Sequence, residues 1–188
     1  MTRRRILEAA MEAVQDGGFG LREIADRASV TVQTVYAHYG SKAGLLSAVV
    51  QEASAAEGLV AGLARVWKHR SARAALDEMV KATFDFWRRA WPLVSLMLTE
   101  LRADQDFAAQ VRGVNESRLA DLVKICEELE RSGDLRPGMK PAAAAALVFA
   151  MTSPYAYEDL VASGRLAYAR ALRTITDAVN AAVLRHRR

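Results

Sequence analysis

The sequence predicts an all-α protein of about nine helices. Three observations point there. Only 4 Pro and 11 Gly interrupt 188 residues. The composition is rich in alanine and poor in β-branched runs, a choice that favours helix over strand. Apolar residues recur at helical spacing almost from end to end.

The elements follow in order. A first helix of about residues 3–16 has Thr2 as its N-cap and Ile6, Ala10 and Val14 as its apolar stripe. Gly17-Gly18-Phe19-Gly20 ends it. Two short helices follow, Leu21 to Ala28 and Val32 to His38, separated by Ser29-Val30-Thr31. Gly40-Ser41 breaks the pattern, and Ser41 caps a fourth helix that begins at Lys42 and continues to about Trp67. A fifth covers about 71–90 with Ser71 as its cap, and a sixth about 92–103 with Pro92 in its first turn. The seventh runs over about 105–131 and stops at Ser132-Gly133; the loop Gly133-Asp134-Leu135-Arg136-Pro137-Gly138 is the clearest break in the second half. The eighth covers about 141–163 with a kink at Pro154, and the ninth about 165–186.

Bulk properties narrow the function. Apolar residues at 52% and charged residues at 26% describe an ordered globular chain. The single Cys126 rules out an internal disulfide and a cysteine-built metal cluster. The opening Thr2-Arg3-Arg4-Arg5 leads into an amphipathic segment, not a leader, and the longest uncharged stretch, 142–157, falls short of the roughly 20 residues of a membrane span. A cytoplasmic protein is expected. A net charge of +4 hints at an anionic partner. Yet residues 1–52 carry six Lys or Arg against six Asp or Glu, so any affinity for nucleic acid must come from where the charges sit.

That placement is legible. Ile24, Ala25, Ala28, Val30 and Val35 can close a three-helix core with the first helix, which is the plan of a helix-turn-helix. Ala25 is small where two helices cross steeply, and Ser29 in the turn would carry a modest cost in a left-handed conformation. Thr31 can cap the third helix and leave its free N–H groups facing phosphate. On that helix Gln33 and Ala37 share the outward face, with Thr34 and His38 on the adjacent row. Gln33 can pair with an adenine edge, and Thr34 and Ala37 can touch a thymine methyl.

From Arg5 to Val50 the sequence resembles the TetR family of repressors. The residues that carry the likeness are Arg5-Ile6-Leu7-Glu8-Ala9-Ala10, Arg22-Glu23-Ile24-Ala25, Thr34-Val35-Tyr36-Ala37-His38-Tyr39 and Ser41-Lys42 with Leu45-Leu46. Two features depart from the family pattern: the stretch from Phe19 to Ile24 is about three residues short, and Gly20 replaces the usual threonine cap. The resemblance implies a helix-turn-helix DNA-binding domain over 1–46 and a ligand-binding and dimerisation bundle over 47–188. It implies a palindromic double-stranded operator read by a homodimer, and release by a small, mostly apolar effector. The DNA-binding set so implied is Arg3, Arg4, Arg5, Arg22, Thr31, Gln33, Thr34, Tyr36, Ala37, His38 and Lys42. Arg3 to Arg5 form either a phosphate-contacting arm or a solvated tail, and His38 either a base contact or a packing residue.

A Met and aromatic cluster marks the second domain. Trp67, Met79, Phe84, Trp87, Trp91, Met97, Met151 and Tyr155, with Glu100 and Asn115 as polar partners, suit an adaptable cavity, though plain core is the commoner use of such residues. Leu147 on the eighth helix, with Tyr168, Leu172, Ile175, Val179 and Val183 on the ninth, forms the expected dimer interface of a four-helix type. No catalytic residue, metal site or cofactor is expected: the three histidines lie apart and no HExxH, P-loop, GxSxG or ExxH pattern occurs. Two alternatives stand beside the regulator, a structural DNA-binding dimer without an effector and an all-helical enzyme without a legible motif.

Overall fold

The computed structural model describes residues 1–56, 59–103 and 105–185, without the side chains of 56, 59, 60, 100–103, 106 and 110. It is all-α among those residues, apart from one isolated antiparallel bridge between Leu135 and Leu184. The chain divides into two compact units: residues 1–57 with 90–112, and residues 58–89 with 113–188.

The first unit is built on α1 (Thr2–Gln15), which buries Ile6, Ala9, Ala10, Ala13 and Val14. Thr2 is its first helical residue and not its cap; Met1 holds that position without a side-chain bond, and its carbonyl accepts from the Arg5 amide at 3.2 Å. Gly17, at φ +80°, turns the chain out of α1. Phe19 then plugs the core, and α2 (Leu21–Arg27) and α3 (Val32–Tyr39) follow. Gly20 is the extended N-cap of α2 and, lacking a side chain, makes no cap bond. Ser41 caps α4 (Lys42–Ala56) by accepting from the Gly44 amide at 2.9 Å. Ile24, Ala25, Val35, Leu45, Leu46 and Val49 close one apolar core with α1, joined by Leu93 of α7 (Trp91–Ala103) and Phe107 at the start of α8 (Gln105–Arg131). The expected run of the fourth helix to Trp67 crosses residues 57 and 58, which lie outside the described residues.

In the second unit α5 (Leu59–Val66) lies along α6 (Ala72–Arg89), so closely that a Cβ on Gly62 would stand 2.8 Å from that of Ala82. The α6 core face holds Leu76, Met79, Val80, Thr83, Phe84 and Phe86. The distal part of α8 adds Leu122, Ile125, Cys126 and Leu129. After the turn at Gly133, the Arg136 amide donates to the Val183 carbonyl and the Arg185 amide to that of Asp134, both at 2.8 Å.

The expected helix over 141–163 is broken, not kinked. α9 (Pro141–Met151) stops before Thr152-Ser153, and Ser153 caps a new short helix, α10 (Pro154–Tyr157), by accepting from the Ala156 amide at 3.2 Å. Pro154 sits at the first position of α10, where its missing N–H is not needed. The Ala150 carbonyl accepts from the Ser153 amide at 3.2 Å. A π-helical turn, Glu158–Ala162, leads on to α11 (Tyr168–Val183), which is shorter at both ends than the expected 165–186; residue 186 lies outside the described residues.

Candidate nucleic-acid interface and ligand site

The α2–α3 pair presents one helix outward. Its turn is closed by the Val30 amide on the Ala25 carbonyl at 2.9 Å, with Ser29 in the left-handed conformation at φ +51°. The Thr31 hydroxyl accepts from the Thr34 amide at 3.1 Å and lies 2.9 Å from the Thr34 hydroxyl. Val35 points into the core, whereas Gln33, Ala37 and His38 are exposed and Thr34 is half-covered. Tyr36 is 46% exposed, unusual for so large a ring unless something else covers it.

The basic residues divide by role. Arg3, Arg4 and Arg5 belong to α1 and form no arm. Arg3 lies 5.3 Å from the centre of the Tyr39 ring, and the Tyr39 hydroxyl donates to the Arg3 carbonyl at 2.7 Å. Arg4 pairs with Glu8 at 2.8 Å. Arg5 donates through Nη2 to the Ala28 carbonyl, so it ties α1 to the end of α2. Arg22 is exposed on α2, and Lys42 lies in the first turn of α4, 6.0 Å from the Phe19 ring centre. Arg27, absent from the expected set, holds Asp16 at 2.7 Å and Glu23 at 2.5 Å and braces α2 on the end of α1.

Residues 6–49 match the family model of bacterial regulatory proteins, tetR family. Over those residues the chain is similar to that family. The matched residues span most of α1, α2, α3 and the first half of α4, and the family they match is one of regulatory proteins. Solved structures share the fold over nearly the whole length. FadR from Bacillus subtilis, in complex with stearoyl-CoA, is 17% identical, with 94% of this chain and 96% of that chain covered at a TM-score of 0.76. PfmR from Thermus thermophilus is 19% identical over 94% and 97%, at 0.72. AibR, in complex with isovaleryl coenzyme A and operator DNA, is 21% identical over 95% and 97%, also at 0.72. No curated protein matches the chain by sequence.

The expected ligand residues divide between the two units. Trp91 and Met97 belong to the first unit, where Met97 packs on the apolar core. Trp67, Met79, Phe84, Trp87, Asn115, Met151 and Tyr155 belong to the second; the Glu100 side chain lies outside the described residues. Met79 and Phe84 are core: Phe84 is fully buried, its ring edge-on to Tyr157 at 5.8 Å. Asn115 and Tyr155 are exposed. A cleft of about 330 Å³ opens between α5, α6 and α8, lined by Val66, Trp67, His69, Arg70, Ala75 and Ile125 among others, and takes only Trp67 from the expected set.

Trp87 leads to a cluster that sequence reasoning missed. Its Nε1 donates to the Thr152 carbonyl at 3.1 Å, the group left open where α9 breaks. Arg118 of α8 donates to the same carbonyl at 3.0 Å and to the Thr152 hydroxyl, which in turn donates to the Val148 carbonyl at 2.7 Å. The Arg118 guanidinium lies 4.6 Å from the Phe149 ring centre and 5.9 Å from that of Trp87. Burial draws its pKa down to about 10. The signal was present: 118, 122, 125 and 129 form one stripe on α8, apolar except for the arginine.

The expected dimer residues also divide. Ile175, Val179 and Val183 are buried within the chain's own second unit, whose α11 packs on α6 and α9. Tyr168 is half-covered: its hydroxyl donates to Asp85, and Arg88 lies 4.2 Å from its ring centre. Burial alone raises the Asp85 carboxyl, but hydrogen bonds from Lys81 and Tyr168 overcome it and hold the group below its ordinary range. Leu147, 38% exposed, and half-covered Leu172 remain at the surface.

Proposed function

We propose that the chain is a one-component repressor that binds a palindromic operator as a homodimer and is released by a small, mostly apolar effector. Its site of action is the cytoplasm. The observation that carries the reading is the division of α3: Val35 locks the helix to the core, while Gln33, Thr34, Ala37 and His38 stand outward beside a Thr31-capped N-terminus. Such a helix offers side chains to base edges and its open N–H groups to phosphate.

The dimer reading rests on α9, where Ala142, Ala143, Ala146, Leu147 and Ala150 make an exposed face of apolar residues. A second copy that laid its own α9 against these small side chains would cover them. Leu147→Asp then gives monomers in sedimentation, with helicity intact. A variant that sediments as wild type removes this interface.

The effector reading rests on the second unit, which the contacts to DNA do not require, and on the Trp87–Met151 end of it, where side chains are only partly covered. The fold neighbours solved with acyl-CoA ligands are consistent with it. A coupling of about 1–3 kcal/mol is expected, and it is reciprocal: operator DNA weakens the effector by the same factor. Selection of bound fragments from genomic DNA with purified protein tests the whole proposal. Recovery of twofold-symmetric sites with half-sites about one helical turn or a small multiple apart supports it; recovery of unrelated fragments in proportion to their length refutes it.

A further inference from the structure

The second unit holds a partly buried cation that, among the described residues, no anion answers. Arg118 Nε is sealed from solvent and has no hydrogen-bond partner. Burial is the only influence on its protonation, and among the described residues no carboxylate stands within ion-pair reach. The two bonds to Thr152 do not explain the charge. Trp87 already donates to that carbonyl, and a neutral amide side chain could supply a second donor. A buried charge is kept out of water at a cost that such bonds do not return unless an opposite charge completes the pair.

Around the guanidinium lie the faces of Phe149 and Trp87, and Trp87, Phe149 and Met151 are each only partly covered. Thr152 takes Nη2 alone, and the Nε and Nη1 donors that it leaves can each bond a carboxylate oxygen. A single positive charge also balances a carboxylate's single negative charge, whereas a phosphate dianion would leave one charge over in an apolar setting.

We propose that Arg118 is the carboxylate receptor of the effector site, and that the ligand is a monocarboxylic acid whose apolar body lies against Trp87, Phe149 and Met151. This rests on the effector reading above and gives that ligand its chemical class.

Calorimetric titration of the full-length protein with two matched pairs, decanoate against decanamide and 2-naphthoate against 2-naphthamide, tests it below any micelle concentration. At least one acid binds about ten- to a hundredfold more tightly than its amide, the return expected for a charge-assisted hydrogen bond in place of a neutral one. Arg118→Met and Arg118→Gln both abolish that preference and leave amide affinity within about twofold. The glutamine variant keeps a donor for Thr152, so it carries the test if the methionine variant fails to fold. Absence of the preference in wild type, its survival in either folded variant, or tighter binding of decyl phosphate than of decanoate would overturn the assignment. Operator binding measured alongside separates the two readings. An acid that binds through Arg118 without changing operator affinity keeps this site and removes the effector role; an amide that binds as well as the acid and releases DNA does the reverse.

Discussion

Gly44→Ala should destabilise the first unit, although an alanine is the better helix former. In an open helix the substitution stabilises by up to about 1 kcal/mol. At Gly44 the new Cβ would lie 2.1 Å from the Tyr39 carbonyl oxygen and 3.3 Å from its carbon. The obstacle is backbone, so no rotamer relieves it, and the end of α3 must move by about 1 Å or more to reach ordinary contact. Overpacking of this kind costs about 1–3 kcal/mol, and a backbone clash belongs at the upper end. The net loss is then about 2 kcal/mol, or a fall in Tm of about 4–8 °C. Thermal melts followed by circular dichroism measure it, with Gly113→Ala as the control. Gly113 lies within α8 with nothing within 4 Å of a Cβ. There the same substitution should raise stability by about 0.5–1 kcal/mol. If Gly44→Ala melts at or above wild type, the close approach of α4 to the end of α3 is not what holds glycine at that position.

Three further outcomes follow from burial and backbone. Phe84→Ala, which empties a fully buried ring site in the second unit, should cost about 3–5 kcal/mol in urea unfolding; a loss under about 1 kcal/mol would mean the site collapses freely. Ser29→Gly should stabilise by about 0.5–1 kcal/mol, because the φ of +51° strains serine and not glycine, and a melt below wild type would show that the serine side chain matters more. Burial raises the Cys126 thiol to about 11, so the folded state holds its proton longer than the unfolded chain. Its contribution is complete below the unfolded thiol pKa of about 8.5 and is lost as pH rises through about 11. Cys126→Ala should therefore flatten the stability curve across that window, and an unchanged slope would contradict the burial.

Much of this was legible because it rests on local chemistry. The bounds of α8, the Ser41 cap and the Thr31 cap all follow from residues within one or two turns of each other. What the sequence misplaced depends on distant partners. Whether Arg5 reaches DNA or the Ala28 carbonyl depends on how α1 lies across the end of α2. Ile175, Val179 and Val183 have the same apolar periodicity whether they face a partner or their own α6, and periodicity alone does not say which. Pro154 announces an interruption of the helix; only Ser153 in capping geometry turns a kink into a break. Arg118 was missed because a cation at the end of an apolar stripe looks solvated until Phe149, Trp87 and Thr152 are folded around it.

The central claim is that the outward face of α3 reads a DNA sequence, and Gln33 tests it most directly. Fluorescence anisotropy with the selected operator and with a random duplex of equal length, at one fixed salt concentration, measures wild type and Gln33→Ala side by side. The account predicts a loss of about 1–3 kcal/mol on the operator, relaxed preference at one base pair of each half-site, and unchanged affinity for the random duplex. An equal loss on both duplexes, or none on either, would contradict it.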